Sequence, residues 1–339
     1  MKNIAVIGCG SWGQNHIRVF KSLQDSKVIS VVDINQSRLE IISRKYPELD
    51  IESNYLKILE NPDVDAVVIA TPTKTHYRIV RDALIANKHV LCEKPFCETG
   101  VQAKELVETA KERNCILMVG HTFLFNPGIM KIKEILDEGR LETLYYLFAI
   151  RNNYGPVRHD VNVAYDLASH DISIFNWLIG REPESVSATG AAFLQPKVED
   201  VVFISLKYPK NVYAGIQASW LFPIKTRQIS IVGSQKILTW DDCVLDTPIA
   251  IYDKGDNAPK EYRDYREFQR VSLWEGHVQC PKVDAEEPLM LQNQHFMECI
   301  QGSFSKVRSD GIFGVEVVRT LEAISLSMQN NGAPICLQQ

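Results

Sequence analysis

The stretch VIGCGSWGQNH, residues 6–16, decides the fold of the N-terminal part of this chain. It ends an apolar run of strand character and places Gly8, Gly10 and Gly13 in a G-x-G-x-x-G pattern where a helix begins. The first glycine permits a tight turn, the second lets a pyrophosphate approach the backbone, and the third lets helix and strand pack closely. We therefore predict a dinucleotide-binding turn, with a glycine-rich turn that binds no ligand as the alternative.

The residues around this turn indicate which dinucleotide it binds. The helix that opens with Ser11 and Trp12 presents unpaired N–H groups and a partial positive charge to the phosphates. Asp33 ends the next strand, VISVVD, where a carboxylate accepts hydrogen bonds from the ribose hydroxyls and repels a 2′-phosphate. NAD is therefore favoured over NADP. Arg38 could stack on adenine or tolerate a phosphate, and a solvated arginine at a helix start is the alternative.

Short apolar runs alternate with helix-periodic stretches through the first 120 residues. The strand candidates are IAVIG, VISVVD, DAVVIAT, HVLCE and ILMVG, and amphipathic helices are predicted between them. Near-continuous apolar strands separated by helices indicate a parallel sheet covered on both faces, which is a doubly wound α/β domain. Thr99 and Gln102 have capping-box spacing, so a helix should begin just after EKPFCE.

From about residue 142 the pattern changes to longer runs that are rich in β-branched and aromatic residues. These runs, from ETLYYLFAIR to KILTWDD, predict consecutive antiparallel strands with one packed face. One helix, DLASHDISIFNWLIG at 166–180, interrupts the strands, and two more are predicted near 289–301 and 312–330. The second half of the chain is therefore expected to be an α+β domain.

Length and composition limit the class of protein. The 339 residues are 45% hydrophobic and 23% charged, which is typical of a soluble globular chain of about two domains, expected at 1–122 and 123–339. The formal charge of −5 argues against a nucleic-acid partner. No apolar run approaches the ~18–20 residues of a membrane span. GCGSWGQN breaks the first apolar run too early for a signal peptide, so a cytoplasmic location is expected.

The eight cysteines are scattered through the chain and form no C-x-x-C pair. Several of them sit inside apolar runs such as CILMVG. This spacing favours free buried thiols in a reducing compartment and argues against a structural zinc site, so we expect no metal.

The strand DAVVIAT continues into ATPTKTH, residues 70–76, at the carboxyl edge of the predicted sheet. Ligands bind at this edge in doubly wound sheets. Thr71, Pro72 and His76 could therefore line the nicotinamide end of the cofactor. The alternative is a turn with a helix-capping threonine, Thr75.

The strand HVLCE delivers Glu93-Lys94-Pro95 to the same edge. An ammonium group near the nicotinamide could hydrogen-bond a substrate hydroxyl and stabilise the developing alkoxide. Glu93 could anchor the lysine or the cofactor by a charge-assisted bond. Pro95 would fix the chain direction, and a cis peptide bond before it is a hypothesis.

Asp166 and His170 lie four residues apart in YDLASHDISIFNWL and would share one face of a helix. A carboxylate next to an imidazole orients the ring, sets its tautomer and stabilises its charged form. An ordinary i, i+4 pair at a helix N-terminus is the alternative. Asp171, one position off this face, is interpreted as structural.

The order of these motifs resembles the Gfo/Idh/MocA family, the relatives of glucose–fructose oxidoreductase and inositol dehydrogenase. The resemblance extends from the glycine-rich turn, ATPTKTH, EKP and D-x-x-x-H through HTFLFNP to SDGIFGVEVVRTLEAISLS. It implies that Lys94, Asp166 and His170 form the catalytic group. It also implies a Rossmann domain followed by an α+β domain with a large, open, mostly antiparallel sheet, which commonly mediates homodimers or homotetramers.

The helix motif departs from the D-x-G-x-H-x-x-D of many relatives, because Ala168 replaces the glycine and Ser173 the last aspartate. The DL-x-x-HD variant resembles members found in nucleotide-sugar and surface-polysaccharide metabolism. The resemblance thus favours an NAD-dependent oxidoreductase of a nucleotide-sugar CH–OH group over an inositol or free-sugar dehydrogenase. A non-catalytic regulator that senses dinucleotide and an NAD-dependent glycosidase stay open as alternatives.

Candidate substrate ligands lie mainly in RNNYGPVRHDVN, residues 151–162, which leads from a strand into the helix of His170. Arginine suits a diphosphate because its planar fork bonds phosphate bidentately, and a solvated loop is the alternative. Either Lys94 or His170 could be the formal proton acceptor. The candidate substrate-binding residues are His121, Asn126, Arg151, Asn153, Tyr154, Arg158 and Asn162.

Overall fold

A computed structural model describes residues 1–155, 157–253, 264–266, 277–304 and 306–337. The first part of the chain alternates strands and helices. The strands are β1 (Lys2–Ile7), β2 (Ser26–Val32), β3 (Asp50–Glu52), β4 (Ala66–Ile69), β5 (His89–Glu93) and β6 (Leu117–Gly120). The helices are α1 (Ser11–Ser22), α2 (Gln36–Lys45), α3 (Tyr55–Glu60), α4 (Thr73–Ile85) and α5 (Gly100–Glu112). All strands pair in parallel in the order β3-β2-β1-β4-β5-β6, which confirms the predicted doubly wound sheet.

The strand β3 and the helix α3, the two shortest elements of this part of the chain, are not predicted from the sequence. β3 has three residues and pairs only with the edge of β2, and α3 has six residues and one side-chain cap, from Asn54. Neither is long enough to show a periodic pattern. The predicted cap of α5 is confirmed, since the Thr99 hydroxyl accepts a hydrogen bond from the Gln102 N–H at 3.2 Å.

The second part of the chain forms a nine-stranded sheet. Its strands are β7 (Leu144–Tyr154), β8 (Ser185–Ala191), β9 (Val201–Tyr208), β10 (Val212–Ser219), β11 (Leu221–Gly233), β12 (Lys236–Asp241), β13 (Ile249–Asp253), β14 (Val278–Gln279) and β15 (Ile335–Cys336). Their order is β14-β13-β12-β11-β7-β10-β9-β8-β15. The prediction of a mostly antiparallel sheet is confirmed, with one exception. β7 inserts between β11 and β10 and pairs in parallel with β10.

Helical elements precede, connect and follow the strands of this sheet. They are a 3₁₀ helix (Thr122–Phe125), α6 (Pro127–Asp137), a π-helical turn (Ala164–Ala168), α7 (Ser169–Ile179), a second 3₁₀ helix (Pro209–Asn211), α8 (Pro288–Ile300) and α9 (Gly311–Gln329). Along β9, Val202, Ile204 and Leu206 point into the core under α7 and α9, while Phe203 between them is exposed. The opposite face therefore carries exposed aromatic side chains.

The last two helices return to the first sheet. Phe296 and Met297 of α8 are buried in a cluster with residues of β1 and α1, and Val315 and Val318 of α9 are buried in one with residues of β4 and β5. The Ser309 hydroxyl donates to the Val119 carbonyl oxygen at 2.7 Å. The two cores thus share elements from the end of the chain, and a domain division at residues 122 and 123 stays a prediction.

Among the described residues, no helix is both long and apolar enough to cross a bilayer. All eight cysteines are free, and the predicted burial holds only for part of them. Four are buried, Cys9, Cys92, Cys97 and Cys299, whereas Cys243, Cys280 and Cys336 are exposed. The cytoplasmic location stays a prediction.

A partly buried carboxyl on α9 makes stability depend on pH. Burial, with Glu182 and Asp310 nearby, raises the pKa of Glu316 from its ordinary 4.5 to about 7. The folded chain therefore holds this proton more tightly than the unfolded chain, so stability falls as pH rises from 4.5 to 7 and is constant above that. Glu316→Gln is expected to remove this fall and to raise the free energy of unfolding by about 1–2 kcal/mol at pH 8, a figure reduced for partial exposure.

Urea denaturation at pH 5 and pH 8 measures this effect. Glu108→Gln, at an exposed position of α5, is the control and should leave the pH dependence unchanged. An equal fall between the two pH values in Glu316→Gln and the unaltered protein would contradict the assignment.

Candidate active site

The glycine-rich turn between β1 and α1 has the geometry that the pattern predicts. Gly8 has φ +98°, and a Cβ atom there would lie 2.6 Å from the Ala70 carbonyl oxygen. A Cβ atom on Gly13 would lie 1.8 Å from the Gly8 carbonyl oxygen, so helix and strand touch at this point. A Cβ atom on Gly10 would meet nothing within 4 Å. Space is therefore left open at the second glycine, where the pattern places a pyrophosphate.

These contacts separate the roles of two glycines. Gly13→Ala is expected to lower the free energy of unfolding by about 3 kcal/mol, because the added methyl group collides with backbone. Gly10→Ala is expected to change stability by less than about 1 kcal/mol but to weaken NAD binding about tenfold, because the methyl group occupies the phosphate position. Urea denaturation and calorimetric titration with NAD measure the two effects. Equal NAD affinity in Gly10→Ala and the unaltered protein would show that no phosphate lies there.

Asp33 closes the turn from the end of β2. Its buried carboxylate accepts hydrogen bonds from the Cys9 N–H at 2.7 Å and the Asn35 N–H at 2.8 Å. Arg38 lies 3.5 Å from the same carboxylate. A cavity of about 430 Å³ opens beside these residues, lined also by Thr71 and Pro72. The cavity, Asp33 at its wall and the open space at the second glycine fit the adenosine and pyrophosphate parts of a dinucleotide.

The start of α1 also fits phosphate binding. Its N-cap is a glycine and no side chain caps the helix, so its first N–H groups have no side-chain partner. Ser11 and Trp12 open the helix and are both exposed. The N–H groups predicted to bind phosphate therefore lie at an exposed helix start.

His76 links the turn that follows β4 to the turn that follows β5. Its ring is buried, with Nδ1 2.8 Å from the Pro95 carbonyl oxygen and Nε2 2.8 Å from that of Thr71. Burial lowers the pKa of His76, and a neutral ring donates to only one of these oxygens. Thr75 lies inside α4 and donates its hydroxyl hydrogen to the Pro72 carbonyl oxygen at 2.7 Å, so it does not cap the helix as the alternative expects. Contact of His76 with a nicotinamide stays a prediction.

Lys94 stands at the tip of β5 and reaches across to the second part of the chain. Its Nζ donates to the Asp166 main-chain oxygen at 2.7 Å and lies 3.6 Å from the Asp166 carboxylate. The side chain is 8% exposed, and burial lowers the pKa of Lys94 although Asp166 and Glu93 oppose the shift. The peptide bond to Pro95 is cis, in agreement with the hypothesis. The ammonium group is thus fixed at the carboxyl edge by a residue 72 positions later.

Asp166 does not orient His170, and the prediction of that pair is wrong. Its carboxylate instead accepts from Trp220 Nε1 at 3.1 Å and lies 3.4 Å from Arg158 Nη1. The physical reason is local, since Asp166 lies in the π-helical turn that precedes α7. The wider π turn moves residues i and i+4 out of line. Asp166 therefore holds Lys94 and not the imidazole.

Two imidazoles lie around the ammonium group. Nδ1 of His170 and both ring nitrogens of His121 are buried without a hydrogen-bond partner. His121 directly follows the Gly120 that pairs with Glu93, so it leaves the sheet next to Lys94. Burial and Lys94 lower the pKa of His121 to about 3 and that of His170 well below its ordinary value. Both rings are therefore neutral near pH 7, and buried polar atoms without partners are typical of a ligand site.

Arg151 is committed to the protein itself. Its Nε and Nη2 atoms each donate to the Asp171 carboxylate at 2.8 Å, and both side chains are buried. The guanidinium also lies 4.4 Å from the centre of the Phe123 ring, which meets the His170 ring edge-on at 4.8 Å. A diphosphate role for Arg151 does not fit this geometry, whereas the structural interpretation of Asp171 does.

The other predicted substrate ligands differ in their surroundings. Asn126 caps α6 through the Gly128 N–H at 2.9 Å and donates to Asp242 at 3.0 Å, so its amide is already used. Tyr154 is 81% exposed at the end of β7 and faces no described partner in the site. Of the three remaining candidates, Arg158 is joined to the site through Asp166. The three are Arg158, which bonds Asp160 and Asp166, Asn162, which bonds Glu199, and Asn153, whose Oδ1 is buried without a partner.

Three residues of this region are not predicted from the sequence. Trp220 binds Asp166, and Phe123 is stacked between Arg151 and Arg227. Phe123 stands in HTFLFNP beside the candidate His121, which was a usable signal. Trp220 and Arg227 carry no local signal, because their partners lie in distant parts of the sequence.

The fold and the site define a class of protein. A parallel sheet with a glycine turn and an adenosine-sized cavity binds a dinucleotide. A lysine and two neutral histidines at the carboxyl edge supply groups that can exchange a proton and bind a hydroxyl group. Together they define the dinucleotide-dependent oxidoreductases.

Comparison with protein families narrows this class. Residues 2–121 match the model described as oxidoreductase family, NAD-binding Rossmann fold, and residues 129–239 match the Gfo/Idh/MocA C-terminal domain. The chain belongs to the Gfo/Idh/MocA family, as its motifs predict. It is an enzyme of the oxidoreductase class with an NAD-binding Rossmann domain.

Similar proteins of this family have named activities. The scyllo-inositol 2-dehydrogenase (NAD(+)) of Bacillus subtilis is 29% identical over 98% of this chain and 95% of its own. The UDP-N-acetylglucosamine 3-dehydrogenase of Acidithiobacillus ferrooxidans is 30% identical over 74% of this chain and 76% of its own. A putative oxidoreductase structure from Magnetospirillum magnetotacticum MS-1 is 28% identical with a TM-score of 0.80, over 95% of this chain and 99% of that one. The named relatives thus include dehydrogenases of inositols and of nucleotide-sugars.

Proposed function

We propose that the chain oxidises a secondary alcohol of a sugar, or reduces the corresponding ketone, with NAD as the cofactor and a nucleotide-sugar as the substrate. One observation carries the proposal. The buried ammonium group of Lys94 is held at the carboxyl edge of the sheet beside two neutral imidazoles with unpaired nitrogen atoms. A hydroxyl group placed among them would find both a hydrogen-bond donor and an acceptor.

The cofactor would be held by residues already described. The turn at Gly10 and the start of α1 would bind the pyrophosphate, and Asp33 the adenosine ribose. When bound, the nicotinamide accepts or supplies the hydride. NAD is preferred over NADP because the Asp33 carboxylate would repel a 2′-phosphate, and Arg38, paired with that carboxylate at 3.5 Å, compensates only in part.

We assign the hydroxyl proton to Lys94, which accepts it in its neutral amine form. Oxidation of CH–OH to C=O removes one proton from the hydroxyl oxygen in addition to the hydride. Burial lowers the pKa of Lys94 toward the working range of a general base, whereas an imidazolium at His170 is disfavoured by burial and by Lys94. His170 and His121 then act as neutral rings that bind and orient the hydroxyl group, and Asp166 holds the lysine.

The preference for a nucleotide-sugar has two supports. One is the similarity to the UDP-N-acetylglucosamine 3-dehydrogenase. The other is a second cavity of about 300 Å³ between the start of α4 and the loop before β9, lined by Lys74, Lys197 and Asn162 and also by the carboxylates of Glu98 and Asp160. Lysines suit phosphate groups, and Lys74 lines the cofactor cavity as well. The second candidate is an inositol or a free sugar, favoured by the nearly full-length similarity to the scyllo-inositol 2-dehydrogenase.

An absorbance screen at the NADH band tests the proposal. Purified protein is mixed with NAD or NADP and a panel of nucleotide-sugars, inositols and free sugars. NADH formation with a nucleotide-sugar, faster with NAD than with NADP, is expected. A signal with inositol alone would overturn the substrate class, and no turnover with any member would favour a dinucleotide-sensing regulator. Release of a reducing sugar without net NADH would identify a glycosidase.

We propose further that the open sheet face joins copies of this chain. Its exposed aromatic side chains include Tyr146, Phe148, Phe203 and Tyr213, which lie on neighbouring strands. Contiguous exposed apolar side chains of this kind mark protein interfaces. Light scattering should give the mass of a dimer or tetramer, and a monomer at micromolar concentration would contradict the proposal.

A further inference from the structure

His16 lies on α1, three residues after the last glycine of the dinucleotide turn, and is fully buried. Its Nε2 atom is 2.9 Å from Oε1 of Glu93, at the end of β5. Its Nδ1 atom is 3.1 Å from Nδ2 of Asn293, on α8. One imidazole therefore joins the cofactor helix, the strand of the catalytic lysine and a helix from the end of the chain.

The partners of His16 define which nitrogen carries hydrogen. The Nδ2 group of Asn293 can only donate, so Nδ1 of His16 must accept. The Asn293 amide is oriented by Gln292, whose Nε2 lies 3.5 Å from Asn293 Oδ1. Nε2 of a neutral His16 then carries the hydrogen and donates it to Glu93. The hydrogen bonds thus run in one direction, from Asn293 through His16 to Glu93.

Glu93 has little freedom to move. Its second oxygen, Oε2, accepts from the Lys94 main-chain N–H at 3.2 Å. A Cβ atom on Gly120 of the neighbouring strand would lie 3.1 Å from Oε1, so the carboxylate packs directly against that strand. The carboxylate is buried between the strand ends that carry Lys94 and His121.

We propose that His16, supported by Asn293, is a positioning residue that holds the Glu93 carboxylate in place and thereby sets the position and the reactivity of Lys94. The inference rests on the proposed catalytic role of Lys94. His16 touches no reacting atom in this scheme. It would couple the helix that begins at the cofactor turn to the lysine that exchanges the substrate proton.

The charge of Glu93 is one of several that act on Lys94. Two carboxylates, of Asp166 and Glu93, favour the ammonium form, and two guanidinium groups, of Arg158 and Arg151, oppose it. The neutral rings of His121 and His170 face the same group from β6 and α7. Loss of the Glu93 charge would therefore shift Lys94 toward the free amine.

His16→Phe tests the inference because it fills the same space and leaves Oε1 of Glu93 without a donor. Without that donor the Glu93 carboxylate is no longer held in place next to Lys94, so Lys94 loses an anionic neighbour. Acylation of Lys94 by acetic anhydride at pH 7 should become about tenfold faster, the change expected when an opposite charge within ~4–6 Å is removed. Mass spectrometry of the full chain with NAD measures the rate, normalised to the exposed Lys104.

Conservative and control variants make the result specific. His16→Gln can accept from Asn293 and donate to Glu93, so acylation within about twofold of the unaltered rate is expected. Asn293→Ala leaves His16 in place without its donor and should give an intermediate rate, which keeps the test open if His16→Phe does not fold. Ile17→Val removes one methyl group from the buried face of α1 and should leave the rate unchanged.

An unchanged acylation rate in both His16→Phe and Asn293→Ala would overturn the inference. An equal increase in Ile17→Val would also do so, since it would show a merely structural effect. Lys94→Ala, assayed for turnover in parallel, distinguishes the catalytic role of Lys94 from the positioning role of His16. Full turnover in Lys94→Ala would remove the catalytic role of the lysine, while the acylation rates would still report on the contact between His16 and Glu93.

Discussion

Lys94→Ala is expected to lower kcat by about 10²–10⁴-fold, the usual contribution of a positioned acid–base group. The dissociation constant of NAD should stay within about threefold, since Lys94 bonds Asp166 and is not among the described residues that line the cofactor cavity. The physical reason is that no other described amine lies beside His121 and His170 to take the hydroxyl proton or to stabilise the alkoxide. Steady-state kinetics with the substrate found in the screen, and calorimetry with NAD, measure the two quantities.

His170→Ala provides the comparison within the site. A drop in kcat of similar size is expected, but the pH dependence that belongs to Lys94 should remain in this variant and disappear in Lys94→Ala. Lys104→Ala, at an exposed position of α5, is the control and should keep full activity. Full activity in both Lys94→Ala and His170→Ala would remove the mechanism.

Asp171→Ala is expected to lower the free energy of unfolding by about 3–5 kcal/mol, because it leaves the buried guanidinium of Arg151 without its carboxylate. The double variant Arg151→Met with Asp171→Leu should recover most of that loss, since two apolar side chains of similar size need no partner. Urea denaturation of the single and double variants measures the coupling between the two positions.

The result also tests what Arg151 is for. If Arg151 serves only as a buried structural pair, NAD affinity should be unchanged in the double variant. If the losses in free energy of unfolding at the two positions add in the double variant, the two residues act independently. That result would contradict the assignment of Arg151 and Asp171 as a buried ion pair. Asp160→Ala is the matched control on the exposed side of the site, where its bond to Arg158 is partly solvated and is expected to contribute only about 1 kcal/mol.

Local sequence was sufficient for the features that depend on near neighbours. The glycine turn, the Thr99 cap and the charged end of β5 follow from backbone conformation and from residues within one turn or strand. The parallel sheet also follows, because its near-continuous apolar strands can be buried only between two layers of helices. The two shortest elements, β3 and α3, carry too few residues to leave a periodic signal.

The partners within the candidate site could not be predicted in the same way. Helical spacing predicts a pair between Asp166 and His170, but the π turn directs the Asp166 side chain away from the imidazole. The Asp166 carboxylate instead accepts a hydrogen bond from Trp220, 54 positions later. Arg151 on β7 forms its ion pair with Asp171 on α7. Such contacts depend on how β7, β10 and α7 are placed by the whole fold, and no short stretch encodes them. Residue types at strand ends indicate where chemistry lies, and the fold decides which of them meet.

The return of α9 to the first sheet has a consequence for the order in which the chain folds during synthesis. Gly314 lies so close to that sheet that a Cβ atom on it would be 2.7 Å from Val119, and Val315 and Val318 are buried nearby. A nascent chain that has left the ribosome only to residue 122 would leave this apolar surface open to water. The cofactor domain, although encoded first, therefore reaches its final packing only when almost the whole chain has emerged.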